Sequence, residues 1–159
     1  MPFEITSISF ESGQPIPSRF TCEGENISPP LSWSGAPAAT QSFVLIVDDP
    51  DAPDPAAPLR TWVHWVLYNI PADTDRLSAD IAPDELPPGT VSGLNDWKRT
   101  TYGGPCPPIG RHRYYHTLYA LDIALPRTDN ATKFELLHAI EGHVLAKAEL
   151  MGTYQRSTL

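Results

Sequence analysis

Proline is the feature that most limits how this chain can fold. The 159 residues include 18 prolines, about twice the usual share of roughly 5%. Proline lacks an amide N–H and fixes its own φ, so helix interiors and central strands largely exclude it. This number of prolines argues against a helical bundle and favours a β domain with many loops.

The composition fits one globular domain that has no general affinity for polyanions. Hydrophobic residues make up 41% of the chain, enough to build a core at this length, and we expect residues 1–159 to form a single domain. The formal net charge is −8. Because nucleic acids and anionic membranes reward Lys and Arg, neither is expected as a partner. A small local anion site is compatible with this charge.

Three further features of the sequence indicate where in the cell the protein is expected. No apolar run approaches the roughly 18 residues of a membrane span, so no integral membrane contact is expected. The first five residues, Met1 to Ile5, lack the basic start and apolar stretch of a secretory signal. Two cysteines, Cys22 and Cys106, are too few for a disulfide framework. Together these features predict a cytoplasmic protein with reduced thiols.

Hydrophobic periodicity predicts a mainly β fold, an antiparallel β-sandwich or barrel with one helix near the C-terminus. A capping box, Thr132 with Glu135, precedes apolar residues at helical spacing, which predicts a helix over 133–147. A turn is expected over 48–58 and a long surface connection over 71–98. Strands are predicted over 3–10, 31–33, 43–47, 62–70, 113–123 and 148–156.

Strand alternation predicts which side chains share a face. In the strand over 62–70, Trp62 and His64 are expected on one face with Val66 and Tyr68, opposite Val63, Trp65 and Leu67. In the strand over 113–123, one face is expected to carry His112, Tyr114 and His116, and the other Arg113 and Tyr115.

Four segments hold residues suited to chemistry, and each also has a structural interpretation. For the acidic segment 48–53 the structural interpretation is a solvated turn, and for His64 it is a core histidine. The segment 102–110 has glycines whose amides could cradle an anion, or it is a proline-stiffened hairpin loop. Arg113 could clamp an anion or simply pair with a structural carboxylate such as Asp51.

Several motifs, in order along the chain, resemble those of one known family. The string from Phe20 to Trp33, FTCEGENISPPLSW, resembles the opening of the phosphatidylethanolamine-binding protein family, also called the Raf kinase inhibitor protein family, in its bacterial branch. The strings DPDAP at 49–53, WVHW at 62–65, GPCPP at 104–108 with HRY at 112–114, and the tail over 148–156 agree with it. One departure is His116, where an aromatic residue, usually Phe, is common.

The resemblance implies a mainly β architecture, an antiparallel β-sandwich of two sheets with one or two short helices and a pocket at one end. Family members are linked to phosphorylated head groups or phospho-residues, and some inhibit kinases or proteases by binding. It therefore implies a regulatory or inhibitory binding module, often a homodimer in the bacterial branch. No catalytic residue, metal or cofactor comes with it. The residues that match the family's pocket are Asp49, His64, Gly104, Cys106, His112 and Tyr114.

These residues suggest how such a pocket would hold a phosphate- or carboxylate-bearing ligand. If Asp49 accepts a hydrogen bond from one imidazole, it fixes the tautomer, favours the imidazolium and aims the other ring nitrogen at the ligand. Binding would then tighten as the pH falls toward the reference histidine pKa of about 6.5.

Two other classes of protein remain open from the sequence. Asp49, His64 and His112 could bind a transition metal as a facial triad, or Cys106 could act as a nucleophile with His112 as its base, giving a hydrolase. Alternatively the chain is an interaction protein with no working pocket, using aromatic side chains such as Trp33, Trp97 or Tyr102.

Overall fold

Two antiparallel sheets form the protein, and the computed structural model describes residues 2–157. The small sheet has the order β1-β2-β5, and the large sheet has the order β6-β4-β3-β7-β8. One helix, α1, and two short 3-10 turns, Ser18–Phe20 and Pro83–Glu85, complete the described elements. The predicted mainly β, two-sheet fold is confirmed. The bounds are β1 Glu4–Thr6, β2 Leu31–Ser34, β3 Ser42–Ala52, β4 Arg60–Pro71, β5 Arg76–Leu77, β6 Val91–Ser92, β7 His112–Leu121, α1 Lys133–Ala139 and β8 Val144–Tyr154.

The large sheet is covered on both faces, which explains the continuous apolar run in β3. Phe43, Leu45 and Val47 point into the core between the two sheets. Val44 and Ile46, the alternate residues, pack in a second core beneath α1. A strand buried on both faces has no polar side to show in its sequence.

Strand β3 extends further than its apolar run, so the predicted turn over 48–58 is wrong at its start. Asp49 pairs with Trp62 and Ala52 pairs with Arg60, so the acidic residues are part of the sheet. Only the stretch between Ala52 and Arg60 connects the two strands. The N-terminal strand, by contrast, is shorter than predicted, since β1 ends at Thr6.

The predicted helix over 133–147 is about half correct. The capping box forms, because Thr132 accepts from the Glu135 amide and Glu135 accepts from the Thr132 amide. The helix ends at Ala139, and Gly142 then takes a left-handed φ of 80° that turns the chain. Val144, which fits the helical spacing, instead begins β8, so the predicted last strand is present and starts earlier than 148.

The length and hydrophobicity of the helices bear on the prediction of no integral membrane contact. Within residues 2–157, none of the helices is long and apolar enough to cross a membrane.

Candidate functional site

A cavity of about 330 Å³ opens at one end of the large sheet, where β3, β4 and β7 supply its polar side chains. Five of the six residues proposed from the sequence line it, and Gly104 does not. Those five are Asp49, His64, Cys106, His112 and Tyr114.

The innermost polar group of the cavity is a carboxylate–imidazole pair. The Nδ1 of His112 lies 2.6 Å from the Oδ2 of Asp49, and both side chains are buried. The other oxygen, Oδ1, accepts the amide N–H of Asp51 at 2.7 Å. Burial raises the pKa of the Asp49 carboxyl, although its hydrogen bond with His112 works in the opposite direction. The expected bond between Asp49 and an imidazole is present.

The second nitrogen of His112 does not face a ligand, so that part of the expectation is wrong. Its Nε2 lies 2.8 Å from the carbonyl oxygen of Ile109. Two oxygen atoms therefore meet the two ring nitrogens of His112. Neither imidazole nitrogen is left to bind anything else.

A β-bulge places His64 in the cavity. Val47 pairs with Trp65 and Asp48 pairs with Val63, so His64 is an extra residue without a partner on β3. The bulge also changes the predicted faces of β4. Trp65 lies in the core between the sheets, on the same side as the cavity, while Val63 packs in the core beneath α1.

Burial decides the protonation state of His64. Its Nδ1 lies 2.7 Å from the carbonyl oxygen of Gly103, which can only accept a hydrogen bond. Burial lowers the pKa of His64 to about 4, and the carbonyls of Gly103 and Gly104 oppose this effect only in part. His64 is thus a neutral imidazole at physiological pH, with its proton on Nδ1.

Tyr114 lies between the two histidines. Its ring meets the edge of His64 at a centroid distance of 5.3 Å and stacks on His112 at 6.3 Å. Burial, together with the negative charge of Asp49, raises the pKa of the Tyr114 hydroxyl above its ordinary value. The phenol therefore keeps its proton.

The glycine loop does not offer the amides that the sequence suggested. Gly103 donates its N–H to the carbonyl of His64 at 3.1 Å, and Gly104 donates to the Oδ1 of Asn26 at 2.9 Å. A Cβ on Gly104 would lie 2.4 Å from that same Oδ1 and from the Phe20 carbonyl. Gly104 is needed for close packing against a neighbouring loop, so the prediction that its amide faces an anion is wrong.

A disulfide joins Cys22 to Cys106, which corrects the prediction of reduced thiols. Beside it, the Cys22 amide donates to the Pro105 carbonyl and the Tyr102 hydroxyl donates to the Phe20 carbonyl. The segment over 102–106, which leads into the lining residues Cys106, Pro107 and Pro108, is thereby fixed to the loop over 20–26. A sulfur held in a disulfide has no thiolate to act as a nucleophile, so the thiol hydrolase alternative has no support.

The geometry also gives no support to the metal alternative. Because His112 uses both of its nitrogens, it has no lone pair to offer as a third ligand beside Asp49 and His64. Within residues 2–157 there is no group of three or more His, Cys, Asp or Glu side chains that could hold a metal ion.

Sequence reasoning missed the residue that organises the second wall. Asn95, which is buried, donates to the carbonyls of His64 and Thr101 and accepts from the amides of Trp97 and Arg99. This holds the Trp97 ring against His64 at a centroid distance of 4.9 Å. Loop asparagines are common, so only the neighbouring tryptophan hinted at this role.

The sequence also failed to single out two residues at the mouth of the cavity. Trp62 lines the opening and meets Trp97 edge-on at 5.6 Å. Arg60 lines the same opening, is exposed, and has no ion-pair partner within residues 2–157. Both alternate with His64 along β4, which was the available signal.

Arg113 pairs with a structural carboxylate, which is one of the two interpretations that the sequence allowed for it. Its guanidinium contacts both oxygens of Asp51, at 2.8 and 3.0 Å. It points away from the cavity, as the alternation of β7 predicted, and the arginine lowers the pKa of the Asp51 carboxyl.

Comparison with known proteins identifies the family of the chain. The family model described as phosphatidylethanolamine-binding protein matches residues 6–155. This chain belongs to that family. A relative named UPF0098 protein, from Methanothermobacter thermautotrophicus, is 52% identical over 89% of this chain and 91% of its own length. Another UPF0098 protein, from Chlamydia pneumoniae, is 43% identical over 97% of this chain and 99% of its own.

Solved structures of the family have the same architecture. A putative phosphatidylethanolamine-binding protein homologue, CT736 from Chlamydia trachomatis, has a TM-score of 0.88 at 42% identity, covering 98% of this chain and 99% of that one. E. coli YbcL, described as a member of the mammalian family, has a TM-score of 0.87 at 33% identity, covering 99% and 100%. These similarities establish the family and the fold.

Proposed function

We propose that the cavity at the end of the large sheet binds a small ligand through a phosphate-like or carboxyl group, and that the protein acts by binding rather than by catalysis. One observation carries this proposal. A buried Asp49–His112 pair lines the same cavity as His64, whose Nε2 has no hydrogen-bond partner within residues 2–157. Burying such groups is costly unless they serve structure or a ligand, and clusters of perturbed ionisable groups in clefts are typical of functional sites.

The shape and charge of the opening support a ligand of this kind. The cavity is of small-molecule size, and the lining residues that reach the surface include Trp62, Trp97 and Pro108. Arg60 adds an exposed positive charge at the rim, in a protein whose net charge is −8. An anionic group inside with an apolar remainder between the tryptophans fits this distribution of charge and apolar surface.

The exposed residues beside the cavity support a role in a regulatory or inhibitory complex. Leu59 is 75% exposed, Ile109 53% and Trp97 39%, and these three lie on or next to lining segments. A protein partner bearing the anionic group would meet these apolar side chains. The kinase or protease partner and the homodimer implied by the resemblance stay predictions.

Isothermal titration with inorganic phosphate tests the proposal, and Arg60→Ala gives the specific prediction. Removing this charge should weaken binding several-fold, on the order of 1 kcal/mol, because an exposed charge at a rim is partly screened. The matched control is Arg76→Ala, which removes the same charge from an exposed position on the small sheet. Equal weakening by both variants would mean that phosphate responds only to net charge, and absence of binding to the native protein would refute the proposal.

A further inference from the structure

The hydrogen bonds around the cavity leave one imidazole nitrogen available to a ligand. His112 uses Nδ1 with Asp49 and Nε2 with the Ile109 carbonyl. His64 uses Nδ1 with the Gly103 carbonyl, and within residues 2–157 no group is hydrogen-bonded to its Nε2. Of the four ring nitrogens of these two histidines, the Nε2 of His64 is therefore the one that remains to pair with a ligand in the cavity.

This nitrogen presents a lone pair rather than an N–H. A carbonyl oxygen only accepts, so the short contact of Nδ1 with Gly103 places the ring proton on Nδ1. In a neutral imidazole the second nitrogen is then an acceptor. The lowered pKa of His64, about 4, keeps the ring neutral over the physiological range.

The other ionisable groups around His64 do not reverse this state. Asp49 is hydrogen-bonded to His112 rather than to His64, and Tyr114 keeps its phenolic proton. His116, which also acts on His64 electrostatically, has a pKa lowered to about 4 by burial and is neutral as well. Arg60, at the rim, opposes rather than favours protonation of a nearby imidazole.

We propose that the cavity selects an acid group that still carries a proton, whose O–H donates a hydrogen bond to the Nε2 of His64. The inference rests on the proposed function and narrows its ligand class to hydrogen phosphate and singly protonated phosphate monoesters. A fully ionised oxyanion would set an oxygen lone pair against the nitrogen lone pair. Because two lone pairs face each other, the fully ionised ligand should bind on the order of tenfold to a hundredfold more weakly.

The proton count is the same whichever atom holds the proton in the complex. If it passes from the phosphate O–H to Nε2, an ionised phosphate faces an imidazolium. If it stays, a P–O–H group faces a neutral ring. Either way the complex contains one proton that a dianionic monoester and the neutral protein lack, so monoester binding must weaken as pH rises.

Four probes of similar size separate the possibilities by isothermal titration between about pH 6 and pH 8. Inorganic phosphate keeps an O–H throughout this range and should bind with nearly constant affinity. Methyl phosphate loses its last proton near a pKa of about 6, so its affinity should fall about tenfold per pH unit above that value. Sulfate and dimethyl phosphate carry no such proton and should bind on the order of tenfold to a hundredfold more weakly than phosphate. The dimethyl ester also separates a free phosphoryl group from the diester of a lipid head group.

The variant His64→Gln supplies the matched test of the residue. A glutamine amide offers both an N–H and a carbonyl, so sulfate should now bind nearly as well as phosphate. Equal affinity of the native protein for sulfate and phosphate would overturn the inference, with or without a folded variant, while leaving the proposed function standing. Absence of binding by all four probes would overturn both.

Discussion

Two buried histidines contribute to the acid sensitivity expected of this protein. His64 and His116 are 3% and 1% exposed, and burial lowers the pKa of each to about 4 from an ordinary value near 6.5. Below about pH 6.5 these two histidines take up protons in the unfolded chain but stay neutral in the folded protein. The free energy of unfolding therefore falls as the pH drops from about 6.5 to about 4, and is unaffected by these groups above that window.

The variant His116→Phe tests this at a residue outside the cavity. His116 packs against Phe10 at a centroid distance of 5.7 Å, so a phenyl ring fits the same apolar surroundings. The free energy of unfolding of the variant minus that of the native protein should be more favourable to the variant at pH 5 than at pH 7.5. The change between the two pH values should be on the order of 2 kcal/mol. Urea unfolding at the two pH values measures this. The same pH dependence in both proteins would show that His116 does not titrate as described.

The sequence indicated which side chains meet in the cavity, but not which partners their hydrogen bonds have. Asp49, His64 and His112 come from three different strands, and only the ordered motifs of a family pointed to their meeting. The Nε2 of His112 goes to Ile109, and the Gly104 amide goes to Asn26. Such pairings depend on loop paths of a few ångströms, which residue types and spacing do not encode.

At the scale of elements, local irregularities in regular strands place the functional side chains. The bulge at His64 shifts the alternation of β4, so residues expected on opposite faces lie on the same one. Simple alternation succeeded on β7, where His112, Tyr114 and His116 are buried and Arg113 is exposed. A bulge has no fixed composition, which explains why the faces of β4 were predicted incorrectly and those of β7 correctly.

Gly142 ends the helical region and allows β8 to start, and its substitution gives a prediction about backbone conformation. Its φ is 80°, and a Cβ added there would have no atom within 4 Å. The variant Gly142→Ala should therefore lose on the order of 1 kcal/mol of unfolding free energy through backbone strain alone. Asparagine tolerates the left-handed region, so Gly142→Asn is the control and should lose less. Thermal unfolding compares the three proteins, and an alanine variant as stable as the native protein would contradict this reason for the glycine.

At the scale of the whole molecule, one covalent link connects distant parts of the chain. Cys22 and Cys106 are 84 residues apart in sequence, and the loop that they close contains most of the large sheet. In the chain-entropy description, closing a loop of this length stabilises the fold by about 4–5 kcal/mol. The same link holds the proline-rich wall of the cavity in place.

Loss of the disulfide should thus affect both stability and the cavity. The double variant Cys22→Ser, Cys106→Ser should lose several kcal/mol of unfolding free energy, up to about 4–5. Urea unfolding with and without a thiol reductant measures this, since reductant should destabilise the native protein and leave the double variant unchanged. A native protein equally stable in reductant, with its disulfide shown to be reduced by mass spectrometry, would contradict the stabilising role.

The charge of the whole molecule sets what strength of binding to expect. The chain carries −8, Asp49 and His112 are paired with each other, and Arg60 is an exposed cation among the lining residues. Binding therefore relies on hydrogen bonds and shape more than on a positive field, and weak affinity that depends on the form of the acid group is expected.

The most direct test of the central claim is the imidazole nitrogen NMR spectrum of the native protein at neutral pH, recorded before and after adding inorganic phosphate. The spectrum reports each ring nitrogen separately and first shows whether the proton of His64 lies on Nδ1. With phosphate, the Nε2 signal of His64 should move as it gains a hydrogen-bond donor, while the signals of His116, which does not line the cavity, stay in place. A His64 signal that does not respond, or one that moves no more than that of His116, would contradict the claim that this cavity binds the phosphoryl group.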